Sequence, residues 1–190
     1  MASRNVDKGR EAENAVAAYL SLHGFPHAER RAKRGGYVDV DCGGCGGSGN
    51  ISDAPGCPDC YGAGSIPVPA DAGDLTGIPG VVIQVKWSPY MPLAEAMRRT
   101  EEQRRAGRAD VGLLVVKRKA VGLGRAAEWD AYLPEWAVAY LLSGSSYTEG
   151  WPGCWPHGQA VWHTDLATAA ALIARAGYGV NNNTTLETVP

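Results

Sequence analysis

The chain has 190 residues and a formal net charge of -2, enough length for one domain with a real core, or one domain with appendages. Its longest uninterrupted apolar runs, such as Leu113 to Val116, are far too short to span a bilayer, and the N-terminus is charged where a signal peptide would be apolar. A soluble, cytoplasmic chain with no membrane partner is expected. The small net charge hides an uneven distribution. Residues 1–125 hold 17 of the 18 Lys and Arg, and the segment 37–72 within them holds five acids and no base, leaving 17 basic against nine acidic side chains in the rest. Residues 126–190 hold one base against six acids. A basic body thus accompanies an acidic insert and an acidic tail, and the overall sign does not exclude nucleic acid as a partner.

Asn5 to His23 reads as an amphipathic helix stopped by Gly24, with Ala12, Val16, Tyr19 and Leu20 as its apolar stripe. At about 100° per residue, Glu13 falls roughly 20° from Leu20 and about 60° from Val16, whereas Glu11 lies about 140° from Val16. Glu13 therefore borders the buried face, either as an edge residue with its head in water or as a carboxylate aimed at a site. After the helix come Arg30, Arg31, Lys33 and Arg34, then Gly35 and Gly36. They read as a mobile basic loop fit to track a phosphate backbone, or as a solvated charge run.

Residues 37–70 break this pattern, being rich in Gly, Pro and Cys and poor in core builders. Cys42-Gly-Gly-Cys45 and Cys57-Pro-Asp-Cys60 are two CxxC pairs separated by eleven residues. Four thiolates in this arrangement close a tetrahedral, structural zinc site; disulfide pairing is the alternative. Both halves, CGGCGGSG from Cys42 and CPDCYGAG from Cys57, match CxxCxGxG and so resemble the repeats of the cysteine-rich domain of J-domain chaperones. No J-domain surrounds them, so the resemblance implies zinc binding and not chaperone activity.

Gly73 to Trp87 reads as a strand carrying Asp74, a tight reversal at Gly77-Ile78-Pro79-Gly80, and a second strand from Val81 to Lys86. Alternation puts Val81, Ile83 and Val85 on one face and Val82, Gln84 and Lys86 on the other. A buried ammonium needs an anionic neighbour. The hairpin makes Asp74 the nearest candidate, whether in a functional site or in a structural Asp-Lys pair. Pro92 to Gly107 reads as a charged helix with Leu93 and Met97 inward, Arg98, Arg99, Arg104 and Arg105 outward, and Gln103 near its end. Asp110 to Val116 is expected as a buried strand that emerges into Lys117, Arg118 and Lys119. A hairpin arm or edge strand follows around Trp129 to Leu133, then a short helix over Glu135 to Leu142 with Trp136 and Tyr140 inward. From Ser143, Trp151, Trp155 and Trp162 stand among Pro and Gly, with Cys154, His157 and His163 in no regular ligand spacing. Asp165 to Ala176 reads as an Ala-rich helix ended by Gly177, and Asn181 onward as a disordered tail.

An aspartate followed ten residues later by Gln-x-Lys at the end of an apolar strand resembles the PD-(D/E)xK nuclease signature, with Gln84 in place of the usual acid. The ordered set is similar to the archaeal Holliday-junction resolvases and to resolvase-like nucleases of phages. It comprises a KGxxxE opening from Lys8 to Glu13, Gly24-Phe25, the basic loop, Asp74, Gln84, Lys86 and Gln103. The resemblance implies an α/β fold: a restriction-endonuclease-like core over 1–142 with a mixed central β-sheet flanked by helices, a small zinc-binding insert over 37–70 interrupting it, and a C-terminal extension over 143–190.

It also implies a metal-dependent, structure-directed DNA endonuclease, in first place a Holliday-junction resolvase, with Glu13, Asp74, Gln84 and Lys86 as catalytic residues. Mg²⁺ or Mn²⁺ would be held by Glu13, Asp74, the Gln84 amide oxygen and the Val85 carbonyl, and Lys86 would orient water or stabilise developing charge. Arg30, Arg31, Lys33, Arg34, Gln103, Lys117, Arg118 and Lys119 would contact branched DNA. Two symmetric cuts imply a homodimer, and a phage-encoded enzyme would work in the host cytoplasm. Gln84 removes a formal charge from the site. The sequence therefore leaves open a second reading, a catalytically inactive, zinc-stabilised DNA-binding or scaffold protein.

Overall fold

A computed structural model of the chain describes residues 4–31, 37–41, 48, 61–69, 73–87, 90, 92–143 and 160–179. In chain order the elements are α1 (Arg4–Leu22), β1 (Glu29–Arg30), β2 (Tyr37–Asp41), β3 (Ser65–Pro69), β4 (Leu75–Thr76), β5 (Val81–Lys86), α2 (Leu93–Ala106), β6 (Val111–Val116), a 3-10 turn (Leu123–Glu128), β7 (Asp130–Pro134), α3 (Glu135–Ser143), β8 (Val161–Asp165) and α4 (Leu166–Arg175). They fall into two compact units, one of residues 33–72 and one of 1–32 with 73–190. No described helix is long and apolar enough to cross a membrane.

The larger unit is built on a four-stranded mixed sheet in the order β5-β6-β7-β8, with β5 and β6 parallel and the other two pairings antiparallel. The runs VVIQVK and VGLLVV are apolar enough to bury both faces, as parallel strands joined by a helical crossover must. α2 is that crossover. Val81, Ile83 and Val85 join Ala12, Val16 and Leu20 of α1 and Ala169 and Ile173 of α4 in the main core, together with the fully buried Trp129. Leu114 and Val116 look the other way and meet Ala96 and Met97 of α2. The architecture is α/β, a mixed sheet flanked by helices.

The C-terminal segment does more than extend this core. β8 pairs along β7 from Asp130↔Asp165 to Pro134↔Val161, so β7, antiparallel to β6 as a hairpin arm would be, is an interior strand and not an edge. α4 follows at once, its start capped by Asp165, whose Oδ1 accepts the Thr168 N–H at 2.7 Å. Composition hid β8 because VWHTD is only half-buried and lacks an apolar run. Trp151, Cys154, Trp155, His157 and the tail from Asn181 lie outside the described residues.

On α2, Met97 is fully buried as expected, but Leu93 is exposed and Arg104 turns inward. Arg104 donates to Glu101 Oε2 at 3.1 Å and to the Ala109 carbonyl at 2.9 Å, and its guanidinium lies 4.9 Å from the Trp136 ring centroid. A paired guanidinium can be enclosed while its stem covers apolar surface. Glu101 is thereby buried, and its Oε1 has no hydrogen-bond partner among the described residues.

Burial pushes the Glu101 carboxyl up, against the pull of Arg104. At low pH the group is protonated in folded and unfolded chains alike. As pH rises the unfolded chain ionises first, so stability is lost from the ordinary value of 4.5 up to the raised folded one. Glu101→Gln should therefore gain stability relative to the wild type as pH rises above the ordinary value of 4.5, read from denaturant midpoints. A pH-independent difference would mean that Glu101 ionises normally in the fold.

In the smaller unit, β2 and β3 pair antiparallel from Tyr37↔Pro69 to Asp41↔Ser65. Composition predicted no strand here; among the described residues the sheet has two strands and both are edges, where Pro67 and Pro69 are tolerated. Cys42, Cys45, Cys57 and Cys60, the expected zinc ligands, lie outside the described residues.

Candidate active site

Among the described residues β5 is the outermost strand of the sheet, and the chain just before β4 lies along its outer side. Asp74 N–H donates to the Ile83 carbonyl at 2.8 Å, and the Val85 N–H donates to Asp74 Oδ2 at 2.7 Å. The same oxygen accepts from Gln84 Nε2. Because the N–H and C=O of a strand residue point to the same edge, the Val85 carbonyl faces the side on which Asp74 sits. Asp74, Gln84 and Val85 are thus brought together, and both side chains are buried, with only 4% exposed in each case.

The predicted strand through Asp74 is shorter than expected, since β4 begins at Leu75 and pairs with β1. Gly73 and Gly77 frame it at φ +92° and +84°. A Cβ on Gly73 would stand 2.9 Å from the Ile83 carbonyl oxygen, so glycine is what lets Asp74 dock this closely.

Arg30 and Arg31 do not form a mobile loop. Arg30 lies in β1 opposite Leu75, and the Arg31 N–H donates to the Asp74 carbonyl at 2.9 Å. The pairing puts Arg30 on the face that α1 covers, where its Nη1 lies 3.8 Å from Glu13 Oε2. Glu13 is buried, as its position beside the apolar stripe predicted. That stripe and not the ion pair fixes the helix: burying Val16 or Leu20 contributes about 1.5–3 kcal/mol each, against about 1 kcal/mol or less for a partly exposed pair. Glu13 therefore approaches from the α1 side of β5, while Gln84 and Lys86 belong to the face of Val82.

Lys86 is half-buried at the end of β5, and the ion pairs among the described residues do not include one with Asp74. The structural Asp-Lys pair is not what holds the hairpin; hydrogen bonds from Val85 and Gln84 to Asp74 take that part.

The other expected DNA contacts differ among themselves. Arg118 donates through Nε and Nη2 to Asp130 Oδ1 at 3.0 and 2.7 Å, and His163 Nε2 meets that oxygen at 3.0 Å. Partial burial pushes the Asp130 carboxyl up, but these hydrogen bonds hold it below the usual carboxylate range. Arg118 is thus already paired, whereas Lys119 is exposed. Gln103 is half-buried, with an Oε1 that has no partner among the described residues. Lys33 and Arg34 lie outside them. Sequence reasoning missed Trp87, whose ring centroid lies 4.8 Å from Lys117 Nζ and 5.9 Å from Lys8 Nζ. Its place directly after Gln84-x-Lys86 was the available signal.

Among the described residues no group of three or more His, Cys, Asp or Glu side chains is placed to hold a metal ion. The donor set on the β5 edge is of another kind: one carboxylate, one amide and one main-chain carbonyl, with Glu13 on the α1 side. These are hard oxygen donors of the sort Mg²⁺ takes. The Gln84 amide presents nitrogen to Asp74, and a half turn about its terminal bond exchanges nitrogen for oxygen. The residues therefore fit a hard cation, with an amide that points its oxygen at Asp74 only when positive charge lies between them. The chain matches no family model, no curated protein and no solved structure.

Proposed function

We propose that the chain is a metal-dependent, structure-directed DNA endonuclease, in first place a Holliday-junction resolvase acting as a homodimer on branched DNA. The observation that carries this reading is the buried Asp74 carboxylate joined to Gln84 and Val85 on the outer edge of β5, with Lys86 on the Gln84 face of the same strand. Asp74, the Gln84 amide oxygen, the Val85 carbonyl and Glu13 are the residues to hold Mg²⁺ or Mn²⁺. When bound, such an ion supplies charge neutralisation and an acidified water. Lys86 orients the attacking water and stabilises negative charge on the phosphate. Arg30 pairs with Glu13, and the Arg31 main-chain N–H ties β1 to the Asp74 carbonyl. Cys42, Cys45, Cys57 and Cys60 would hold zinc as a structural brace.

The test is cleavage of a labelled four-way junction, a flap and plain duplex with Mg²⁺ or Mn²⁺. Lys86→Ala should lose at least about 100-fold in rate, the range seen when one preorganised group that stabilises transition-state charge is removed, while still binding the junction. Cleavage by Lys86→Ala at the wild-type rate rejects the assignment.

One observation favours the inactive reading: the Gln84 amide already satisfies Asp74 without a cation. Gln84→Glu separates the two. A second carboxylate against Asp74 repels it in the metal-free chain, so stability should fall without Mg²⁺, recover with it, and apparent Mg²⁺ affinity should rise about tenfold as ligand charge increases. Calorimetry that finds no Mg²⁺ or Mn²⁺ binding in either chain supports the scaffold instead.

A further inference from the structure

We infer that Lys8, Trp87 and Lys117 form a grip for the phosphate backbone of the nucleic acid on the α1 side of the sheet, where β5 and β6 end, with Trp87 as the positioning residue. This rests on the endonuclease reading and adds to it two residues, Lys8 and Trp87. Lys8 comes from α1, Trp87 directly follows β5 and Lys117 directly follows β6, where its N–H donates to the Lys86 carbonyl at 2.8 Å. Three separate parts of the chain thus bring two ammonium groups within 6 Å of one indole, at 5.9 and 4.8 Å from its centroid.

The charge balance of this corner points to an anion. Two neighbouring acids already have cationic partners, Glu13 in Arg30 and Asp130 in Arg118 and His163. The ion pairs among the described residues include none of Lys8, Lys86 and Lys117. Converging cations without carboxylate partners repel one another and gain from a polyanion whose condensed counterions they release. The indole suits such a grip because its face attracts an ammonium electrostatically while accepting no conventional hydrogen bond from it. Each lysine keeps N–H donors for phosphate oxygens. Holding the heads in place beforehand also lowers the entropy lost when the strand binds. The ligand class is therefore a phosphodiester backbone, read without regard to base.

Binding of a labelled four-way junction and a labelled single strand, measured without divalent cation over a salt series, tests this. Lys8→Gln combined with Lys117→Gln should flatten the slope of log K against log salt by roughly 1.8 on the junction and roughly 1.4 on the single strand. Trp87→Leu keeps both charges and should weaken both ligands about threefold with little change of slope, and Trp87→Phe should restore most of that loss. An unchanged slope in the double variant overturns the grip; if the wild type still cleaves, the endonuclease reading survives it. A Trp87→Leu loss confined to the single strand overturns the positioning role in favour of base stacking. Absence of salt-dependent binding by the wild type overturns both.

Discussion

Asp74→Ala should lose Mg²⁺-dependent cleavage and fold stability together, and Asp74→Asn should lose the first while keeping most of the second. The carboxylate is buried and accepts from the Val85 N–H and from Gln84. Alanine leaves two buried donors unpaired, at about 1–3 kcal/mol each. Asparagine keeps one acceptor oxygen for Val85 and removes the negative charge that a divalent cation needs. Both variants should therefore cut a labelled junction more than about 100-fold more slowly, since losing even an indirect support of a metal site costs 10–100-fold. Only alanine should show a large fall in the denaturant midpoint. Asparagine cutting at the wild-type rate would remove Asp74 from the chemistry and leave it a structural acceptor.

Gly77→Ala should be among the most damaging single substitutions in the larger unit, although Gly77 bears no functional group. Its φ is +84°, and an added Cβ would stand 1.7 Å from the His27 carbonyl oxygen and 2.5 Å from its carbon. The obstacle is backbone, which does not swing aside as a side chain does, so a loss of about 3 kcal/mol or more is expected. For a chain of this size that lowers Tm by roughly 6–12 °C. Gly77 directly follows β4, which pairs with β1 and leads back to Asp74, so activity should fall with stability. Gly124→Ala is the control, since a Cβ there meets nothing within 4 Å. A Gly77→Ala chain that melts with the wild type would disprove the close approach.

The parts of the fold legible in the sequence were those written as period. The stripe of Ala12, Val16 and Leu20 gave α1 and put Glu13 at its buried border, and the apolar runs gave β5 and β6. Alternation along β5 correctly separated Val81, Ile83 and Val85 from Gln84 and Lys86. What stayed hidden depends on partners distant in sequence. β1 exists because Glu29 and Arg30 meet Thr76 and Leu75, and β8 because β7 offers it an edge. Neither carries a pattern that stands alone. Arg104 was misplaced for the same reason: its position is decided by the Ala109 carbonyl and Trp136, which no helical wheel contains. Within the candidate site, the nearness of Asp74 to Gln84 followed from the hairpin, whereas the link from Arg30 to Glu13 needed the register of β1 on β4.

The docking of Asp74 along β5 also bears on solubility. An outermost strand with its N–H and C=O groups bare is a template for pairing with another chain. Here Ile83 and Val85 are occupied by main chain and carboxylate of the same residue. The segment that carries the proposed chemistry is therefore also the guard of that rim. Loosening it by substitution should expose a sticky strand and promote aggregation before the core itself gives way.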